Sequence, residues 1–268
     1  MGKRNALKIA VVALALGALA ARQWWSSAHP PGAMASTQGA ALVPDPRSAG
    51  FTLGTLVFAA CELGQRNSAA TTAAFCAPFR VPENWDRPDG RRIDLRLALI
   101  RSSAPLAARD LVVLLAGGPG QAATEVWPRS APGFAALLEH RNVLLLDQRG
   151  TGGSHALACA DDPTDFESAT VNSIDLAQVR RQTRACLDEV AKTADPAQYT
   201  TSAALPDLEA LRQALGAPQF DLVGVSYGTR VAQQYLRRYP DAVRSVVLDS
   251  AVPNELVLGA EFSIDLDA

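Results

Sequence analysis

An α/β fold with a mostly parallel sheet is predicted by two features of the 268-residue sequence. The first is a set of short, largely apolar segments, which are typical of strands buried on both faces of a parallel sheet: 111–115, 143–146, 220–223 and 246–248. The second is helical patterning between these segments. Strands that alternate with helices favour parallel pairing, because each helical connection crosses back over the sheet.

The helices are indicated by apolar spacing and by residues that begin or end helices. Within 173–192, apolar residues recur at helical spacing. Pro206 is predicted to begin the next helix, which ends at Gly216. A third helix is predicted over 229–238, where Pro240 ends it.

Two further strands are predicted before the parallel segments. Segment 93–100 alternates apolar and charged residues, which is the period of a strand with one buried face. Segment 79–81 is the other strand, and Asp89 and Gly90 supply turn chemistry between the two.

Composition limits the classes of function. Hydrophobic residues make up 48% of the chain, which predicts a globular protein rather than a disordered one. The net charge is -2, and basic residues form no run beyond the extreme N-terminus. Nucleic acid is therefore not a predicted partner.

The N-terminus has the layout of a secretory signal peptide. Lys3, Arg4 and Lys8 precede an apolar run over 9–21, and 18–20 offers a cleavage site with small residues. The run is short for a membrane span, but an uncleaved segment would anchor the chain. We therefore predict a signal peptide or short anchor over 1–21, a flexible linker over 22–50, and export to the periplasm or the cell exterior.

Four cysteines agree with export, because disulfides persist in oxidising compartments. Three pairings are possible. We favour Cys61 with Cys76 and Cys159 with Cys186, since each pair brackets a local segment, and four free thiols are the alternative. No C-x-x-C motif or Cys/His cluster is present, so no metal site is predicted.

A G-x-S-x-G motif lies between a predicted strand and a predicted helix. Gly224 and Gly228 flank Ser226, the strand 220–223 leads into the motif, and the helix 229–238 follows it. In this setting such a motif holds a serine nucleophile on a strained turn, and the close neighbours of the serine must lack side chains. Ser226 is therefore predicted to be a nucleophile.

Two glycine-rich loops follow other predicted strands. Segment 116–120, AGGPG, comes directly after 111–115. Its glycines would let a substrate carbonyl approach a backbone N–H, as stabilisation of an oxyanion requires. The second segment, 147–154, reads DQRGTGGS and follows 143–146, and we predict that Asp147 and Arg149 shape its turn.

Together, the three motifs resemble the proline iminopeptidase and tripeptidyl aminopeptidase family of α/β-hydrolases over residues 51–255. The signal peptide, the cysteines and Tyr227 resemble its exported, tripeptidyl-aminopeptidase-like branch. The resemblance implies an acyl-enzyme on Ser226, an oxyanion hole from the backbone N–H groups of Gly118 and Tyr227, a peptide substrate and no cofactor. The first motif begins with Ala116 where the family usually has His.

The C-terminal region departs from the family pattern. In the family, the sixth strand is followed by a cap and then by two strands that carry the catalytic acid and histidine. No histidine follows Ser226. We therefore expect 51–250 to form the N-terminal part of the hydrolase domain and 251–268 to begin a cap, with the C-terminal strands and the rest of the cap missing. His155 and Asp249 are weak alternatives for base and acid, and an inactive fragment or non-catalytic remnant is the alternative function.

Dinucleotide binding is a third class of function. Segment 118–123 formally matches G-x-G-x-x-A after a strand. Pro119 removes an N–H that a pyrophosphate would use, and Pro128 and Pro132 interrupt the helix that should follow. The sequence therefore favours the hydrolase.

Overall fold

A computed structural model describes residues 43–44, 50–64, 69–103, 111–159 and 176–257 of the chain. The predicted signal peptide, most of the predicted linker and residues 258–268 of the predicted cap entry lie outside these residues. No helix in the described ranges is long and apolar enough to cross a membrane. The predicted anchor at 9–21 also lies outside them.

One sheet of nine strands runs through the described residues, and its spatial order is β1-β2-β3-β4-β5-β7-β6-β8-β9. The strands are β1 (Val43–Pro44), β2 (Phe51–Leu53), β3 (Leu56–Gly64), β4 (Thr71–Pro82), β5 (Arg92–Ile100), β6 (Leu111–Leu115), β7 (Asn142–Leu146), β8 (Phe220–Val225) and β9 (Val243–Asp249).

The sheet is mixed in direction. Strands β7, β6, β8 and β9 pair in parallel, and we call them the parallel half. Strands β1 to β5, the antiparallel half, pair antiparallel with one another, and β5 pairs antiparallel with β7. The α/β class is thus confirmed, with an antiparallel extension on one side of the parallel strands.

Five α-helices are described: α1 (Ala123–Ser130), α2 (Ala135–Leu138), α3 (Leu176–Val190), α4 (Thr201–Ala214) and α5 (Tyr227–Arg238). The prediction that Pro206 begins α4 is wrong. Thr200 caps this helix, accepting a hydrogen bond from the N–H of Ala203, and Pro206 lies inside it. The hydroxyl of Thr200 satisfies an N–H at the helix start, and this local signal decided where α4 begins.

The core lies on both faces of the sheet. Along β6, Val113 faces a cluster that includes Leu208 and Val231 of α4 and α5. Leu114 faces the opposite side, where Trp127 of α1 packs. Successive strand residues point to opposite faces, and every residue of β6 and β7 is buried. This burial explains why β6 is apolar throughout and why β7 is apolar after Asn142, whose side-chain oxygen accepts a hydrogen bond from the Ser102 N–H.

Both disulfides join segments that are close in the sequence. Cys61 and Cys76 link the neighbouring strands β3 and β4. Cys159 links the segment after β7 to Cys186 of α3. These are the pairings that the sequence favoured, and the described residues contain no free cysteine.

Strand β9 lies at one edge of the sheet. It pairs with β8, and within the described residues no strand pairs with its other side. Val247 is 55% exposed and Leu248 is 40% exposed. The chain then turns back against α5, where the guanidinium of Arg230 donates hydrogen bonds to the carbonyls of Asn254 and Leu256 at 2.6 and 2.8 Å.

Candidate active site

Ser226 occupies a strained turn between β8 and α5. Its backbone has φ 51° and ψ -119°, a conformation that L-residues rarely adopt. The Ser226 N–H donates a hydrogen bond to the carbonyl of Asp249 at 2.8 Å. The Ser226 carbonyl accepts from the N–H of Thr229 at 2.9 Å and from its hydroxyl at 2.6 Å. These bonds hold the serine at the carboxyl edge of the parallel strands, despite the strain.

The two glycines of the motif are needed for close packing. A Cβ on Gly228 would lie 2.0 Å from the carbonyl oxygen of Leu115, and one on Gly224 would lie 2.7 Å from that of Gly228. Side chains at these positions would push α5 away from β6 and β8. The glycines therefore let the nucleophile helix begin directly above the sheet.

The glycine-rich loop after β6 lies beside Ser226. A Cβ on Gly117 would lie 3.3 Å from the Cβ of Ser226. The next residue, Gly118, has φ 104° and precedes a cis bond to Pro119. The loop motif and the serine motif, separate in the sequence, are thus brought together at one point.

Tyr227 follows Ser226 as the first residue of α5. Its phenol forms a hydrogen bond with the hydroxyl of Thr201, the first residue of α4. The same tyrosine lines a cavity at this edge of the sheet together with Gln121, Arg149 and Leu208. Sequence reasoning assigned Tyr227 only a backbone role and missed Thr201.

Asp147 shapes the loop after β7. Its carboxylate is fully buried and accepts hydrogen bonds from the N–H and hydroxyl of Thr124, both at 2.8 Å. It also accepts one from the N–H of Gly153 at 3.1 Å. All three contacts are structural, so Asp147 orients the loop and α1.

Arg149 is buried beneath the cavity. Its guanidinium donates two 2.6 Å hydrogen bonds to the carboxylate of Asp207 in α4. It also donates to the carbonyls of Pro82, Glu83 and Gln198. Burial raises the pKa of the Asp207 carboxyl, while hydrogen bonds from Arg149 and Trp85 act in the opposite direction. One side chain thus ties the loop after β7 to α4 and to the end of β4.

Sequence reasoning missed Asp207, although a signal was present. Asp207 stands three residues after Ala204 and four before Leu211, on the apolar stripe of α4. A carboxylate on a buried stripe needs a cation or several donors. That requirement points to an arginine such as Arg149.

Glu83 forms a second buried polar cluster nearby. It accepts hydrogen bonds from the N–H of Asp195 at 2.8 Å and from the hydroxyl of Tyr199 at 3.1 Å. Burial, reinforced by the charge of Glu83, raises the pKa of Tyr199 far above its usual range. Tyr199 is therefore a neutral hydrogen-bond donor, which fixes the segment leading into α4.

The histidines contact other groups. His155 follows β7 at the same edge as Ser226, has φ 52°, and stacks on Tyr199 with ring centroids 6.1 Å apart. His140 precedes β7 at the opposite edge and is exposed beside Glu139. His29 lies outside the described residues. Within the described ranges, no histidine or carboxylate side chain hydrogen-bonds to the hydroxyl of Ser226.

Asp249 ends β9 next to the serine turn. Its backbone carbonyl binds the Ser226 N–H, whereas its exposed carboxylate accepts a 3.2 Å hydrogen bond from the hydroxyl of Ser250. Among the described residues, no histidine contact therefore supports the alternative role of Asp249 as the acid of a catalytic triad. In the part of the chain that the structure describes, no group of three or more His, Cys, Asp or Glu side chains could hold a metal ion.

A family model described as the alpha/beta hydrolase fold matches residues 110–265. This match covers more than half of the chain, all three loop motifs and the parallel half of the sheet. The protein therefore belongs to the alpha/beta hydrolase fold family.

Two curated relatives carry names of peptidases. Serine protease Hip1 of Mycobacterium tuberculosis is 32% identical over 205 residues, which cover 70% of this chain and 38% of the relative. Tripeptidyl aminopeptidase of Streptomyces lividans is 26% identical over 214 residues, which cover 72% of this chain and 38% of the relative. The chain thus spans about 38% of the length of these relatives.

Solved structures of hydrolases are also similar. Proline iminopeptidase of Mycobacterium smegmatis is 18% identical, with a TM-score of 0.38, over 63% of this chain and 42% of that one.

Proposed function

We propose that this protein is an exported serine hydrolase that releases short N-terminal segments from peptides. Ser226 is the nucleophile, and the backbone N–H groups of Gly118 and Tyr227 form the oxyanion hole. The observation that carries the proposal is the strained conformation of Ser226, at φ 51°, beside the glycine loop after β6. A strained backbone conformation persists only where the surrounding structure holds it in place, and such conformations cluster in active sites.

The proposed chemistry proceeds through an acyl-enzyme. The Ser226 hydroxyl attacks the carbonyl carbon of the scissile peptide bond, its proton passes to a general base, and the carbonyl oxygen becomes an oxyanion facing the two N–H groups. The peptide C–N bond then breaks, the leaving amine takes a proton, and water later hydrolyses the ester. His155 is a histidine at the edge that carries Ser226, and its contact in the structure is Tyr199.

The names of two relatives support peptide bonds as the substrate class. One is a serine protease and the other a tripeptidyl aminopeptidase. The two disulfides support export, because such bonds persist in oxidising compartments. No resident cofactor or metal is part of the proposed mechanism.

The test is covalent labelling of Ser226 by a fluorophosphonate in the complete product of the gene, with Ser226→Ala as control. We expect labelling of the wild type alone, and release of nitroaniline from tripeptide nitroanilides with a free N-terminus. Equal labelling of both proteins, or none of either, would contradict the serine hydrolase. Labelling without cleavage of any peptide would contradict the substrate class.

A further inference from the structure

We infer that Thr201 is a positioning residue that holds the Tyr227 side chain as one wall of the substrate cavity. The inference rests on the proposed function and adds to it a residue from a different helix. Thr201 is 26 positions from Tyr227 in the sequence, and their hydroxyls share a hydrogen bond.

The bond joins the first residues of two helices. Tyr227 begins α5 directly after the strained serine, so its N–H has no carbonyl within the helix to bind. The ring projects from the same residue, and its contact with Thr201 fixes the ring, whereas the backbone of the serine turn sets the direction of the N–H. Anchoring the phenol therefore fixes the side chain that stands next to the proposed oxyanion donor.

The anchor itself is rigid. Thr201 follows the capping residue Thr200 at the start of α4. Further along the helix, Leu208 is buried in the core, and Asp207 is held by two hydrogen bonds from Arg149. Two loops of the site thus meet on one helix, with Arg149 fixing its middle and Tyr227 touching its start.

The cavity explains why the ring must be held. Tyr227 lines it opposite glycine-rich residues of the loop after β6, with Leu115 and Leu208 as apolar walls. A tyrosine ring released from Thr201 would no longer be held at the boundary of this space. Its altered position would change the shape of the cavity, whose lining includes Gly117 and Tyr227, both next to Ser226.

The test compares Thr201→Val, Thr201→Ser, Tyr227→Phe and the double variant Thr201→Val/Tyr227→Phe in the complete product of the gene. The measured quantity is the rate constant for fluorophosphonate labelling of Ser226. We expect a loss of about tenfold in Thr201→Val and in Tyr227→Phe, because a displaced cavity wall no longer holds the reagent in the productive orientation. Thr201→Ser keeps the hydroxyl and is expected to label within about twofold of wild type.

The double variant decides whether the two hydroxyls act together. If they form one unit, it loses about as much as either single variant. Losses that multiply would overturn the inference, as would a wild-type labelling rate in Thr201→Val. Thr200→Val is the matched control: it removes a helix cap one residue away, so its melting temperature falls while its labelling rate does not. Equal rate losses in Thr200→Val and Thr201→Val would show a merely structural role.

A second measurement separates this inference from the proposed function. Absent labelling of the wild type would disprove the serine hydrolase. Crystal structures of the wild type and Thr201→Val would still test the position of the ring. We expect the Tyr227 ring to leave the cavity wall in Thr201→Val, and a ring in the same place would overturn the inference whatever the activity.

Discussion

Strands β1 to β5 pair antiparallel, each with its neighbour in the sequence, whereas β6 to β9 pair in parallel across long connections. A disulfide reinforces the antiparallel half. The parallel half carries the serine turn and both glycine-rich loops at its carboxyl edge. The site residues lie there because the carboxyl ends of several parallel strands meet at one edge of the sheet, whereas consecutive antiparallel strands end at opposite edges. The antiparallel half therefore supports the site without entering it, and Arg149, from the loop after β7, links the site to the end of β4.

The largest effect is expected where the two halves meet. Arg149→Met removes the guanidinium that joins Asp207 to the end of β4 and leaves a carboxylate buried without its cation. We expect a loss of about 3–5 kcal/mol in the free energy of unfolding, measured by denaturant titration. Arg80→Met breaks an exposed ion pair and is expected to change that energy by less than about 0.5 kcal/mol. Similar losses of unfolding free energy in Arg149→Met and Arg80→Met would show that the buried contacts of Arg149 do not join the two halves.

The next effect lies within the parallel half. Gly228→Ala places a Cβ against the carbonyl of Leu115 and should lower the free energy of unfolding by about 3 kcal/mol. The matched control is Gly133→Ala, because nothing lies within 4 Å of its Cβ position. We expect its effect to stay within about 0.5 kcal/mol. Thermal melts of both variants, followed by circular dichroism, would measure the difference, and a stable Gly228→Ala would disprove the tight contact.

A smaller effect concerns the amino edge of the parallel strands. Burial acts to raise the pKa of Asp221, but hydrogen bonds from Arg244 and Ser245 outweigh it and hold the pKa below its usual value. A carboxyl with a lowered folded pKa stabilises the fold above its unfolded pKa, and this contribution disappears as the pH falls through the folded value.

Stability should therefore decline below about pH 4, and Asp221→Asn should remove this part of the decline. At neutral pH the variant is expected to lose about 1 kcal/mol in unfolding free energy, because its amide oxygen still accepts hydrogen bonds from Arg244 or Ser245 but carries no charge. Asp94→Asn, at an exposed site, serves as control. If the unfolding free energy of Asp221→Asn declined with falling pH as it does in the wild type, the decline would not come from Asp221.

The smallest effect on stability is expected at β9, which is an edge strand among the described residues. Val247→Lys should raise solubility, because a charge on an apolar edge strand opposes association between chains. The unfolding free energy should change by less than about 0.5 kcal/mol. Val57→Lys, at an exposed position inside the antiparallel half, is the control. Light scattering across a concentration series would compare them, and equal aggregation of the Val247→Lys variant and the wild type would show that the edge is harmless.

Local patterns in the sequence predicted the elements that depend on local chemistry. The apolar segments became β6, β7, β8 and β9, and the glycine-rich loops lie where their strands end. The start of α4 was misplaced because Pro206 was weighed above the cap at Thr200. Both signals were visible, and the hydrogen bond of the cap determined the helix start.

The sequence alone did not determine whether the N-terminal strands pair in parallel or antiparallel. Alternation in β5 showed a strand with one charged face, but a period of two is the same for either direction of pairing. Pairing of β5 with β7 depends on segments separated by a strand and helices. Such partners are chosen by how the whole sheet packs.

Within the candidate site, the sequence was sufficient for the nucleophile turn, since strand, glycines, serine and helix are consecutive residues. Only the tertiary structure brought Thr201 to Tyr227 and Arg149 to Asp207. A turn is specified by neighbouring residues, whose backbone angles and steric limits act over a few bonds. A contact between distant side chains exists only after hydrophobic packing has placed their helices and loops, and so it follows from the energy of the whole fold.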